Sequence, residues 1–392
     1  MLGDATPLDD LLDQVDVDGY LIEAGSESAD QGYLSGFWAP DPYATLYTEG
    51  EIHCLVKPLE VGRAREESRA QSIDNVAAYD FFERLEEQER HEAWAACIAE
   101  FCEKHGVASA AVPARFPHAL ASELSNAGVS IEPDHFNTIS SIRSVKTEVE
   151  LEAIAEVQGA AEAAMATAEE LIEAATVAAD GTLTHDGEPL TSEYVKAAIE
   201  RTLLDHRCAL DDTIVACGSD AADPHDRGSG PLEAGELIII DIFPRHKETR
   251  YFGDLTRTFV KGEPSSTQRE WYDLTLEAQE AALQAIQAGT TGEAVHDAVC
   301  DRYEEAGHTT LRADPETETG FIHSTGHGVG LEIHEQPSLS QSGEELEANH
   351  VVTVEPGLYD PAVGGVRIED LVVVTEDGIH NLTEYPKQLQ VD

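Results

Sequence analysis

Two apolar runs in this chain end in a carboxylate, and each is answered by a second carboxylate a short way on. Leu237-Ile238-Ile239-Ile240 runs into Asp241, with Asp254 following 13 residues later. Val351-Val352-Thr353-Val354 runs into Glu355, with Glu369 following 14 residues later in the largely apolar stretch Val366-Arg367-Ile368-Glu369-Asp370-Leu371-Val372. Such runs read as buried strand, and a buried carboxylate is costly unless it is paired or bound to a cation. The pattern predicts two related halves facing each other, each supplying two acids. Asp or Glu occupies 77 of 392 positions, so acids alone mean little here; the apolar setting singles out these four. The nearby bases available to them are Arg257 and Arg367, too few to neutralise the group, so a multivalent cation is the simplest partner.

A second cluster follows the same logic. Phe321-Ile322-His323-Ser324-Thr325-Gly326-His327-Gly328-Val329-Gly330-Leu331-Glu332-Ile333-His334 places three histidines at spacings of four and seven. The glycines at 326, 328 and 330 are expected to let backbone approach a ligand and to leave the imidazoles uncrowded. Four carboxylates and an imidazole make a hard, oxygen-rich donor set, suited to Mn, Co, Fe or Zn. So many acids exceed the needs of one catalytic ion and suit two, about 3.5–4 Å apart and bridged by carboxylates. The chemistry this implies is hydrolysis of an amide or ester.

Charge limits the partners. The formal net charge is −53, a field that repels nucleic acid and anionic membrane surface. Disorder is countered by the 41% of hydrophobic residues, which fall in periodic runs. Seven of the 24 bases are lysine. Abundant acid with scarce lysine is expected of a halophilic protein working in molar salt, where a Debye length of about 3 Å screens self-repulsion. The six cysteines form no CxxC pair and read as reduced, buried thiols. The first twenty residues hold six Asp and no base, so no signal peptide is expected, and no apolar run approaches the roughly 18 residues of a membrane span. The expected location is cytoplasmic.

The length suggests two domains, at 1–143 and 144–392. In the first, Tyr20 to Ile22, Ala44 to Thr48, Ile52 to Val56 and Val107 to Val112 read as strands, and 91–105 as a helix. The pattern is α/β with a small sheet. Its scattered histidines, His53, His91, His105, His118 and His135, suit surface or capping roles. In the second, Thr147 and Glu150 make a capping box that opens a helix to about Ala179. Further helices are expected at about 191–206, 265–288 and 292–306. Strands are expected at Leu237 to Ile242, Val351 to Val354 and Val366 to Val374. This part is α+β, with helices on one face of a curved, mostly antiparallel sheet.

At these motifs the chain resembles the pita-bread metallopeptidases, and its layout resembles the Xaa-Pro aminopeptidases and Xaa-Pro dipeptidases (prolidases). The resemblance runs over roughly 140–385, through IIIDIFP, GDLTRTF, TGHGVGLEIHE, TVEPGLY and GVRIEDLVVV. It is weaker in the N-terminal third, where GYLIEAGS and GYLSGFW are similar to the creatinase-type N-terminal domain. It implies an α+β chain with a C-terminal pita-bread catalytic domain and a smaller α/β N-terminal domain. It also implies two divalent metal ions, manganese first, with cobalt, zinc or iron as alternatives. Asp254 and Glu369 would bridge them, Asp241 would complete one, and His327 with Glu355 the other. Glu355 would serve as acid/base and His334 would hold the scissile carbonyl or its oxyanion. His225 and His323 would line the pocket for the residue after the scissile bond, and Arg367 would orient a carboxylate of substrate or protein. The substrate would be a small peptide and the assembly a homodimer.

Two departures from the family pattern stand out. The segment between Asp241 and Asp254 is longer than usual and carries Ile242-Phe243-Pro244-Arg245-His246 where glycine normally follows the acid by one residue. Phe243 and Pro244 are expected to add an apolar wall. Ala348-Asn349-His350 replaces a Gly-containing turn, which Asn tolerates. Hydrolysis of a small non-peptide amide, as in ectoine hydrolases, and a non-catalytic peptide-binding module are the competing readings.

Overall fold

The computed structural model of the chain describes residues 6–392; the first five residues of the N-terminal segment read above lie outside the described residues. It divides into two compact units, Met1–Arg143 and Ser144–Asp392. Among the described residues no helix is long and apolar enough to cross a membrane.

The first unit is built on a six-stranded sheet. Its strands, in spatial order, are Ser72–Asn75, Glu51–Val56, Tyr43–Thr48, Gly19–Ala24, Ser109–Pro113 and Ser130–Asp134. The middle three pair antiparallel through a Glu49-Gly50 turn and a longer connection, and the outer pairings are parallel. The helix Arg90–Lys104 buries Ala93, Cys97, Ile98 and Phe101 in the core of this unit. His53 is buried and departs from the expected surface or capping roles, whereas His105 is the C-cap of the helix Arg90–Lys104. Their rings stack with centroids 3.9 Å apart, and His53 Nδ1 lies 2.9 Å from Ser72 Oγ. The end of a helix meets a strand here and brings together residues 52 apart, which spacing along the chain does not display.

In the second unit the same order of elements occurs twice. Helices Glu148–Ala174 and Ser192–Asp205 are followed by antiparallel strands Thr213–Cys217, Ile238–Ile242 and Leu255–Lys261. Helices Ser266–Ala285 and Gly292–Glu305 are followed by a five-stranded sheet whose centre is Val351–Val354 paired with Asp370–Thr375. Each half has its own core. In the first, Val157, Ala161, Ile199 and Leu203 pack on Ile238, Ile240 and Phe259. In the second, Ala278, Ala282, Val295 and Val299 pack on Val352, Val354, Val372 and Val374. Burying a Val, Leu or Ile side chain contributes about 1.5–3 kcal/mol, so these inward faces account for why the strands tolerate acids at their ends.

Two boundaries depart most from expectation. The first long helix ends at Ala174, not near Ala179, because Thr176–Val177 leaves the helix to pair with Leu183–His185. The run from Val366 to Val374 is two strands. Gly364–Arg367 pairs with Gly357–Asp360, and Asp370–Thr375 pairs with Val351–Val354. At the break between them the Glu369 N–H donates to the Thr256 carbonyl of the first half. The interruption is what turns Glu369 toward the other half. Asn349 adopts φ +71°, as its turn requires.

Candidate metal centre

Asp241 lies within the central strand Ile238–Ile242, and Asp254 immediately precedes its partner strand Leu255–Lys261. Glu355 follows Val351–Val354, and Glu369 precedes Asp370–Thr375. His327 sits in the short strand Gly326–Gly328, paired to both Glu335–Leu339 and Val351–Val354. These five residues, with His225, His323, His334 and Arg367, line one cavity of about 690 Å³. All nine residues singled out in the sequence therefore meet there.

Ligand atoms of Asp254, His327 and Glu369 all lie within 4.8 Å of one another. His327 Nε2 is 3.3 Å from Glu355 Oε1 and 3.7 Å from Asp254 Oδ2. Its Nδ1 lies 3.1 Å from the Gly328 carbonyl, which can only accept, so the proton sits on Nδ1 and Nε2 keeps its lone pair toward the acids. Asp241 Oδ2 accepts from Arg367 Nη2 at 2.7 Å, whereas its Oδ1 is buried without a hydrogen-bond partner. Two buried glutamines hold the frame. Gln158 exchanges hydrogen bonds with the Asp254 backbone at 2.8 and 2.9 Å. Gln279 Nε2 donates to the carbonyls of Val354 and Ile368, one residue before each glutamate. Thr256 and Thr353 hydroxyls donate to Glu369 and Glu355.

Burial, then the neighbouring Glu369, Asp241 and Glu355 carboxylates, push Asp254 well above the usual carboxylate range. Burial, then Glu355 and Asp241, do the same to Glu369. Burial, opposed by Arg367, pushes Glu355 up to about 7. These shifts register the cost of gathering four acids around a single arginine, and the bare Asp241 Oδ1 and the free His327 Nε2 face the same need for positive charge. The donor set fits divalent cations.

A stability consequence follows. Asp254 and Glu369 hold protons in the folded chain that the unfolded chain releases from about pH 4 upward. Their favourable contribution is present below that pH and is lost as pH rises through their folded values. A divalent cation that replaces those protons stabilises the fold more at about pH 7.5 than at about pH 5. Melting curves with and without Mn²⁺ at both values measure this, and equal shifts at the two would refute it.

Of the two kinds of carboxylate expected for Arg367, the structure shows it on one of the protein's own. The Arg367 guanidinium is turned to the protein: besides Asp241 it donates to Tyr359 Oη at 2.9 Å, the Pro224 carbonyl at 3.3 Å and Thr256 Oγ1 at 3.3 Å. Arg257 points away from the cluster and pairs with Asp370 at 3.0 Å. His323 lines the cavity with both nitrogens engaged, Nδ1 by the Ser324 carbonyl and Nε2 by Tyr359 Oη. Burial, then Arg367, lower it to about 3, so it is neutral. Phe243 reaches the cavity, but Pro244 is buried and does not line it. The glycines serve strand packing: a Cβ on Gly326 would stand 2.0 Å from the Thr353 carbonyl oxygen, and one on Gly328 2.2 Å from that of Gln336. Ile322 and Ile333, inside the histidine motif but not singled out there, and Ile214, outside any motif, add apolar wall.

The family described as Metallopeptidase family M24 matches residues 152–376, and the Creatinase/Prolidase N-terminal domain matches residues 6–145. A Xaa-Pro dipeptidase of Pyrococcus horikoshii is 29% identical over 385 residues, covering 97% of this chain and 96% of that protein. A Xaa-Pro dipeptidase of Pyrococcus furiosus is 42% identical over 180 residues, and that alignment spans 45% of this chain and 49%, about half, of the relative. Among solved structures, a Xaa-Pro dipeptidase from Bacillus anthracis superposes with a TM-score of 0.82 at 26% identity, covering 98% of each chain.

Proposed function

The chain belongs to metallopeptidase family M24, and from that premise we propose that it is an exopeptidase of Xaa-Pro dipeptidase or aminopeptidase type using two divalent metal ions. The observation that carries the reading is the convergence of Asp241, Asp254, His327, Glu355 and Glu369 on one cavity. In this reading Asp254 and Glu369 would serve both ions, Asp241 with its bare Oδ1 would help hold one, and His327 with Glu355 would help hold the other. Bound there, the ions would acidify a water and polarise the scissile carbonyl.

The chain's own residues do the rest. Glu355 takes the proton from the nucleophile and passes it to the leaving nitrogen. His334, exposed on the cavity wall and 4.3 Å from His327 between ring centroids, donates to the developing oxyanion. Ile214, Ile322, Ile333 and Phe243 receive an apolar ring after the scissile bond. A proline there brings no N–H and so requires no acceptor from the wall. Hydrolysis of Xaa-Pro substrates by protein loaded with Mn²⁺, Co²⁺ or Zn²⁺, with metal content measured on the same sample, tests the reading. A chain that holds metal and cleaves no Xaa-Pro bond would overturn it.

The net charge of −53 with seven lysines supports a setting in molar salt, and six free thiols support a reducing cytoplasm. With so few counter-charges, the folded chain is expected to melt at rising temperature as KCl is increased stepwise, because screening relieves self-repulsion. A flat or falling melting temperature would remove the halophilic setting and leave the peptidase reading untouched.

A further inference from the structure

Two cations line the cavity, Arg227 and Arg367. Arg367 is 3% exposed, and Asp241, Tyr359, Thr256 and the Pro224 carbonyl take up its donors. Four of its five N–H donors are thereby spent on the protein, and its charge is paired with Asp241. Arg227 is placed differently. Its side chain is 45% exposed, and its carbonyl accepts the Val215 N–H at 3.1 Å, which ties the loop to the strand Thr213–Cys217. Asp212 Oδ2 lies 2.6 Å from Nε, and the guanidinium carbon stands 5.8 Å from the Phe243 ring centroid. A guanidinium has five N–H donors and one aspartate takes two at most, so donors remain on an arginine whose plane is already held.

Resting on the peptidase reading above, we propose that Arg227 receives the free C-terminal carboxylate of the substrate, which makes dipeptide acids the substrate class. Charge favours this. Two divalent ions would match the four lining carboxylates, and Arg367 is buried and held by Asp241, so Arg227, half-exposed and paired with Asp212 through Nε alone, is the cation of the wall with the most donors to offer. An arginine fork matches a carboxylate in geometry as well as in sign. Its aromatic support, Phe243, belongs to the segment that departs from the family pattern. A peptide amide presents no anion to this fork, and a longer peptide carries its carboxylate further out.

The test uses the full chain loaded with metal and a reduced Ala-Pro isostere, in which CH₂ replaces the scissile carbonyl, alongside the C-terminal amide of that isostere. Calorimetric affinities are measured for wild type, Arg227→Gln and Arg227→Lys. Wild type is expected to bind the acid about tenfold or more tightly than the amide, the scale of a charge-assisted hydrogen bond. Arg227→Gln binds both alike, and Arg227→Lys recovers part of the preference. The amide cannot use the contact and serves as internal reference for the integrity of each variant. No acid preference in wild type, or a preference retained in Arg227→Gln, overturns the proposal. The matching Ala-Ala isostere pair separates it from the proline reading: an acid preference there that Arg227→Gln abolishes supports the contact even where turnover is indifferent to proline.

Discussion

Asp254→Asn abolishes turnover and metal uptake together while the chain stays folded. Asp254 is 4% exposed, and its ligand atom shares a 4.8 Å cluster with those of His327 and Glu369. Asparagine has the same shape, and the bonds to Gln158 run through the Asp254 backbone, so the local frame survives. What is lost is one of four negative charges and an oxygen able to serve both ions in the proposed site. Losses in the outer shell of a metal site already cost about 10–100-fold, so loss of a bridging ligand is expected to cost about 10³-fold or more in turnover. The stability effect runs the other way. A buried carboxylate crowded by like charges penalises the metal-free fold at neutral pH, and the amide removes part of that penalty. The metal-free variant should therefore melt no lower than wild type near pH 7, while Mn²⁺ no longer raises its melting temperature. Elemental analysis finding two metals per chain together with normal turnover would dismiss the bridging assignment.

The contrast between Asp254 and its supports shows what a single chain reveals. The four acids stand out in the sequence because each interrupts or ends an apolar run, a local signal. The echo of the two carboxylate-bearing strand pairs was legible for the same reason, whereas the helix pair that precedes each was read only as separate helices. Gln158 and Gln279 were not legible. Each is an ordinary residue on an Ala- and Glu-rich helix, and its meaning comes from partners 75 to 96 positions away or more. Tyr359 is similar: it lies in the short strand Gly357–Asp360, and only the fold places its hydroxyl between Arg367 and His323. The break at Glu369 was hidden because Val366 and Leu371 are equally apolar, although they belong to different strands. Arg367 was visible as a cation near the acids, but its choice of Asp241 over a ligand is decided by geometry across 126 residues. Arg227 carried no motif signal at all, since its role depends on which other cation is already engaged.

Xaa-Pro substrates are expected to turn over much faster than matched Xaa-Ala substrates, and His334→Ala is expected to lower turnover on them by about 10²–10³-fold with metal content retained. The first part follows from what the wall lacks. A secondary amide entering an apolar wall of Ile214, Ile322, Ile333 and Phe243 leaves its N–H without an acceptor, a desolvation penalty of about 1–3 kcal/mol. Proline has no such N–H and presents a ring that fits an apolar surface. The second part follows from where His334 stands. Burial, then the nearby His327, hold its ring below the usual histidine range, so at neutral pH it is an uncharged donor with one N–H. It is set edge to face against His327, beside the metal cluster and outside it. Removing it should lower kcat, because an oxyanion develops only on the way to the transition state, and should leave ligand binding by Asp254, His327 and Glu369 in place. Paired Ala-Pro and Ala-Ala rates for wild type and His334→Ala, in one metal and one salt, decide both parts. Equal wild-type rates on the two substrates would end the proline claim, and an undiminished kcat in His334→Ala would move the oxyanion contact to another group on the wall.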